Sequence, residues 1–271
     1  MATRTFRRWH RLKNRISALF KRLRREKRCG LIAYVTCGDP DRETTIRVVE
    51  ELAAAGADAI ELGVPFSDPI ADGPVIQAAA QRALTAGTTI QDVLAIAGAV
   101  RDKVPLIAFS YLNPIMRYGV DRFAEEAAAS GFDAALITDL PPESADMIRD
   151  ALHFRGLGLI FLLAPTSSDV RIKLIDRASD GFVYYVSTTG VTGVRRDLDP
   201  ALLSRLDEIR SRIKKPVAVG FGVSQPEHYE ALRDHCDAVV VGSAIVRAIA
   251  EGGREGAAGR AGAVVRRILN A

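Results

Sequence analysis

The chain has 271 residues, 48% hydrophobic and 6% aromatic, with a formal net charge of +4. This composition suits an aliphatic core, in one large α/β domain or two small ones. No apolar run reaches the ~18–20 residues of a membrane span, and no short apolar core with a small-residue cleavage site follows the basic start, which argues against a secretory signal.

Residues 1–28 carry 12 Lys and Arg against the single acid Glu26, which leaves 25 bases and 32 acids for the rest. A basic start on an acidic body can mark a nucleic-acid or membrane arm, or a transit peptide, although the segment is short of Ser. It can equally be a surface helix with an Arg-rich polar face. Trp9, Leu12, Ile16, Leu19, Phe20 and Leu23 recur at three- and four-residue steps, which predicts an amphipathic helix packed on the body from Ile16 onward. Residues 1–15 are read as a basic extension and 16–271 as one domain. Cys29, Cys37 and Cys236 form no C-x-x-C pair, and their odd number suits reduced thiols and a cytoplasmic location.

After Gly30 one unit repeats: an apolar run, a loop with Gly, Pro, Ser or Asp, then an Ala-rich helical stretch. The runs are LIAYVT (31–36), DAIELG (58–63), PLIAFSY (105–111), DAALITD (133–139), GLIFLLA (158–164), GFVYYVS (181–187), PVAVGFG (216–222) and DAVVVGS (237–243). Such alternation predicts a (β/α)8 TIM barrel, with the N-terminal amphipathic helix in addition. A doubly wound nucleotide-binding sheet lacks its G-x-G-x-x-G turn or P-loop here.

Chemistry in such barrels gathers at the C-terminal strand ends. Those ends carry Glu61, Tyr111 with Asn113, Asp139, Ser187, Gly222 and Gly242-Ser243, while Lys103, Asp133, Asp180, Lys214 and Lys215 at the other ends read as solvent-facing charges. Gly220 and Gly222 after the seventh run, and Gly242-Ser243 opening a helix after the eighth, suit a phosphate site, because glycine lets N–H groups approach an oxyanion. Tight turns would need the same glycines. The Gly- and Thr-rich stretch after the sixth run reads as a lid, with the Gly193 amide available to an anion, or as a solvated loop.

The segment ELGVPFSDPIADGP (61–74), with YVTCGDP, SxxGVTG, GFGVS and VGSAIV in this order and spacing, resembles the tryptophan synthase alpha chain family over about residues 16–270. The resemblance implies a barrel that cleaves indole-3-glycerol phosphate to indole and glyceraldehyde 3-phosphate, within an a2b2 heterotetramer whose beta chain carries pyridoxal phosphate. It implies no cofactor on this chain. It places the catalytic carboxylates on Glu61 and Asp72, the active-site tyrosine on Tyr184, the lid threonine on Thr192 and the phosphate site on Gly193, Gly222, Gly242 and Ser243. The indole pocket falls on Tyr34, Ile76, Phe109, Tyr111 and Phe221, where Tyr111 and Asp139 line the site as supports. Asp68 and Asn113 fall toward the beta chain.

Retro-aldol cleavage needs a proton at indole C3, a base for the glycerol C3′ hydroxyl and an anion near the indole nitrogen. Glu61, in a buried strand among Ile60, Leu62 and Val64, is expected to have a raised pKa and to shuttle protons. Asp72 is expected to stay ionised and hold the indole N–H, and Tyr184 to orient Glu61 or the substrate. A Schiff base needs a pocket lysine, but Lys103, Lys173, Lys214 and Lys215 fall at opposite strand ends or on helices. His153, His228 and His235 fall on helices and His10 in the basic start, so no metal site is indicated. Cys37 reads as a packing residue, with no His placed to activate it. A stand-alone indole-3-glycerol phosphate lyase, and a non-catalytic barrel binding a phosphate ligand or nucleic acid, are the alternatives.

Overall fold

The computed structural model describes residues 14–186, 200–220 and 222–270. The described residues hold nine parallel strands: β1 (Gly30–Thr36), β2 (Ala59–Gly63), β3 (Leu106–Ser110), β4 (Ala134–Ile137), β5 (Gly158–Ile160), β6 (Leu162–Leu163), β7 (Val183–Val186), β8 (Val217–Gly220) and β9 (Ala238–Val241). They form one sheet in the order β5-β4-β3-β2-β1-β9-β8-β7-β6. All eight expected runs are strands, but the fifth is broken in two at Phe161. Its N–H donates to the Ser179 hydroxyl at 2.8 Å instead of to a strand, and its carbonyl accepts from Tyr184 N–H at 3.1 Å. The half before the break pairs with β4 and the half after it with β7. The ring therefore closes through this one run, as a (β/α)8 barrel.

Side-chain alternation splits the strands into two cores. Leu31, Ala33, Val35, Ile60, Leu62, Ala108, Ala135, Val183, Val219 and Val239 face the surrounding helices. Ile32, Ala59, Ile107, Ala134, Ile160, Phe182, Ala218 and Ala238 face the axis. Helix α1 (Arg15–Glu26) packs across the floor of that inner core with Ile16, Leu19, Phe20 and Leu23, which lie on one face of the helix. The Phe20 and Phe182 rings are 5.3 Å apart. Each buried side chain contributes about 1.5–3 kcal/mol. Two glycines make room: a Cβ at Gly30 would meet Leu23 at 2.6 Å, and one at Gly181, where φ is +76°, would meet Ile16 at 2.6 Å. The helix expected from Ile16 onward is present; Trp9, His10 and Leu12 lie outside the described residues.

The charges at the strand starts differ from the sequence expectation. Asp133 and Asp180 are not solvated charges; they belong to a set of four. Asp58 accepts the Leu31 N–H at 3.0 Å, Asp133 that of Leu106 at 3.0 Å, Asp180 that of Leu159 at 3.0 Å and Asp237 that of Val217 at 2.8 Å. Each carboxylate precedes one apolar run and accepts an N–H from the first or second strand residue of the run before it in sequence. Arginines pair with three of them, Arg28 and Arg22 with Asp58, Arg15 with Asp133 and Arg210 with Asp237, and the His153 ring lies 2.7 Å from Asp180. His235, expected on a helix, lies in the turn after the helix Pro226–Leu232.

Candidate active site

The axis-facing positions at the C-terminal strand ends surround a cavity. Tyr34 and Glu61 are register partners on β1 and β2, and both line it together with Phe109, Thr138, Leu162, Tyr184, Val186 and Val240. Gly222, Gly242 and Ser243 also line it, and Ala71, Asp72, Gly73 and Ile76 cover it from the loop after β2 and from the helix Pro74–Thr85. The prolines at 65, 69 and 74 shorten the conformational choices of that loop, and Pro74 occupies the first turn of that helix, where its missing N–H costs nothing. No lysine lines the cavity among the described residues.

Glu61 is 0% exposed, and neither carboxylate oxygen has a hydrogen-bond partner among the described residues. Burial without compensation pushes its pKa up to about 8. The expectation of a raised pKa holds, but the neighbours that cause it differ. Ile60, Leu62 and Val64 point outward into the helix-facing core, whereas Glu61 shares the axial space with Tyr34, Phe109 and Tyr184. Tyr184 does not hold Glu61 through a hydrogen bond, since both oxygens are unpartnered. Its ring lies over Gly220, where a Cβ would collide with the hydroxyl, and Tyr34 lies over Gly63 in the same way. Gly220, grouped by sequence with the anion-binding glycines, thus makes space for an aromatic ring.

Asp72 is half-buried, and burial raises its pKa to about 6 against the opposing hydrogen bond from Tyr111. The Tyr111 hydroxyl accepts the Ala71 N–H at 2.9 Å, and its ring packs 5.2 Å from Phe66. Tyr111 therefore braces the loop from behind and is not part of the cavity lining, contrary to its placement in an indole pocket. Asp139 also acts at a distance, accepting the Leu112 N–H at 2.7 Å at the start of the helix Leu112–Tyr118. Asp68 and Asn113 are exposed on these two neighbouring segments. Cys37 is buried, which drives its thiol pKa up.

Gly222 has φ +66°, a left-handed conformation that suits glycine. Gly242 and Ser243 begin a helix, Ser243–Ala250, at the cavity rim, where unsatisfied N–H groups and the helix dipole favour an anion. Thr192, Gly193, Ser187 and Phe221 lie outside the described residues. Thr138, Leu162, Val186 and Val240 were missed by the sequence reading. A signal existed: stepping by two from the axis-facing residue on each strand reaches all four.

A sequence profile of the tryptophan synthase alpha chain family matches residues 20–268. The tryptophan synthase alpha chain of Solibacter usitatus is 53% identical over 237 residues, 87% of this chain and 89% of that one. That of Synechococcus elongatus is 48% identical over 246 residues, 90% of this chain and 92% of that one. Among solved structures, the alpha subunit of Legionella pneumophila superposes with TM-score 0.88 at 36% identity, covering 95% of this chain and 98% of that one. A chain from the tryptophan synthase a2b2 complex of the hyperthermophile Pyrococcus furiosus gives TM-score 0.84 at 41% identity, covering 89% and 98%. With the fold, the cavity and these similarities in agreement, the chain belongs to the tryptophan synthase alpha chain family.

Proposed function

We propose that the chain is the alpha subunit of a tryptophan synthase, a lyase that cleaves indole-3-glycerol phosphate to indole and glyceraldehyde 3-phosphate. The observation that carries the mechanism is Glu61: a fully buried carboxyl, open to a cavity, with no hydrogen-bond partner of its own. With a pKa of about 8 it enters the reaction protonated near neutral pH. It gives its proton to indole C3 and becomes the carboxylate that takes the proton of the C3′ hydroxyl. The C3–C3′ bond breaks as the aldehyde forms, and the bonding electrons restore the aromatic ring. One residue thus serves as acid and then as base. Asp72, with a pKa of about 6, is mostly ionised at the same pH, so it accepts the indole N–H and balances the charge that appears on nitrogen when C3 is protonated. Two carboxyl groups with separated pKa values perform two tasks.

Tyr34, Ile76 and Phe109 are assigned to the indole ring, Tyr184 to orienting the substrate, and Gly222, Gly242 and Ser243 to the phosphate. Both groups line the same cavity as Glu61, which supports the assignment. Thr192, Gly193 and Phe221 keep the roles the resemblance implies. No cofactor is assigned to this chain; pyridoxal phosphate is assigned to the beta chain, which condenses the indole with serine. The beta chain is assigned to the face carrying Asp68 and Asn113. Two large apolar side chains on the same segments, Ile70 at 86% and Met116 at 47% exposure, support a docking role there. Free cysteines support a cytoplasmic setting.

The test is steady-state indole release by the isolated chain, with and without the beta chain. Slow turnover that rises sharply on adding the beta chain is expected. High indole release that the beta chain leaves unchanged would make the chain a stand-alone lyase.

A further inference from the structure

At the end of the barrel opposite the cavity, two thiols lie together that the chemistry above does not use. Cys29 precedes β1, Cys236 stands two residues before β9, and their sulfur atoms are 3.7 Å apart. Both are free and buried, at 6% and 3% exposure. Gly30 is the register partner of Ala238, and its N–H donates to the Asp237 carbonyl at 2.9 Å. Cys29 and Cys236 are therefore one residue out of register on adjacent strands. A strand spacing of ~4.8 Å and a rise of ~3.3 Å per residue put their Cα atoms about 6 Å apart, within the ~4.4–6.8 Å that a disulfide spans. Cys37 lies beyond the other end of β1 and has no such neighbour.

We propose that Cys29 and Cys236 form a reversible oxidation site, whose disulfide staples the seam between the first and last strands of the barrel. The oxidant is a small-molecule disulfide such as glutathione disulfide. Cys29 loses its proton and attacks one sulfur of the oxidant, expelling a thiolate that takes up a proton. Cys236 then loses its proton, attacks the Cys29 sulfur and expels the second thiolate. Two protein thiols are oxidised and one disulfide is reduced to two thiols. Contact with Cys29, together with burial, keeps the Cys236 thiol protonated, so the reaction runs through openings of the rim. Arg28 and Tyr229 lie beside Cys29, each donating to its carbonyl, and Asp237 and Arg210 lie near Cys236. The two cysteines are 207 positions apart in sequence, so the cross-link closes most of the chain into a loop and restricts the unfolded state strongly.

The full chain is incubated in glutathione buffers of increasing oxidation, both folded and during refolding from denaturant, then alkylated, peptide-mapped and melted. The expected result is a peptide joining Cys29 to Cys236, free Cys37, and a Tm raised by about 5 °C that dithiothreitol reverses. Cys29→Ser and Cys236→Ser lose both the link and the shift, and Cys37→Ser keeps them. Because the wild-type map identifies the link directly, a variant that fails to fold does not obscure the answer. The proposal is overturned if the refolded native protein keeps both thiols free, carries glutathione on each, or pairs either one with Cys37.

Discussion

The Tyr111 hydroxyl accepts the N–H of Ala71 at 2.9 Å across the mouth of the barrel and lowers the pKa of the adjoining Asp72 carboxylate. One phenol thus fixes the backbone of the loop that reaches over the cavity and favours the ionised form of its carboxylate. Tyr111→Phe keeps the ring against Phe66 and removes both effects. Cleavage is expected to fall about tenfold, as for loss of one oriented hydrogen bond to a charged group. Because Tyr111 lowers the Asp72 pKa, the acid limb of the kcat/KM profile should also move to higher pH. A loss of activity with an unmoved acid limb would assign Tyr111 to packing alone.

Opposite requirements at the two carboxyls predict a bell-shaped profile. Asp72 must be ionised, so kcat/KM rises as pH passes about 6. Glu61 must be protonated, so it falls again as pH passes about 8. Glu61→Gln should lower kcat by about 10³-fold or more while phosphate-containing ligands still bind. Asp72→Asn should retain the alkaline limb and lose the acid one. Single-turnover indole release across pH 5 to 9 tests both statements.

Glu61 also has a signature in stability. Its folded pKa, about 8, lies above the ordinary 4.5, so between these values the folded chain holds a proton that the unfolded chain has released. Its stabilising contribution is complete below about 4.5 and is lost as pH rises through 8, at most about 5 kcal/mol in all. Glu61→Gln cannot titrate. Its Tm should therefore exceed that of the wild type at pH 8 and above, and converge with it toward pH 5. Parallel melting curves for the two proteins across that range would place the Glu61 pKa near its ordinary value.

The barrel was legible because its signal is local: eight apolar runs, each ended by turn residues, survive any detail of packing. The Glu61 carboxylate was legible for the same reason, being the one acid inside such a run. Its surroundings were not. Neighbours in sequence, Ile60 and Leu62, point away from it, and the groups that desolvate it come from β1, β3 and β7, far along the chain. Tyr111 was misplaced because it stands just past the last residue of β3, where strand parity no longer tells which way a side chain faces. The break at Phe161 was hidden because it depends on a hydroxyl, Ser179, that belongs to the next repeat.

The same dependence on distant partners explains why the strand-start aspartates looked like ordinary surface charges. Asp58 is 5% exposed. It accepts from Leu31 N–H at 3.0 Å, from two nitrogens of Arg28 at 2.7 Å each and from Arg22 at 3.0 Å. Asp58→Ala leaves a buried strand N–H unpaired and removes the counter-charge of two guanidinium groups. The expected cost is about 2–4 kcal/mol, because orphaned buried donors are expensive while the half-exposed arginines recover solvation. Asp58→Asn keeps an acceptor for Leu31 and should lose roughly half as much. Denaturant unfolding of the two variants separates the contributions: equal losses would put the whole effect in the charge, and a negligible loss in Asp58→Ala would show that the barrel seam does not need the carboxylate.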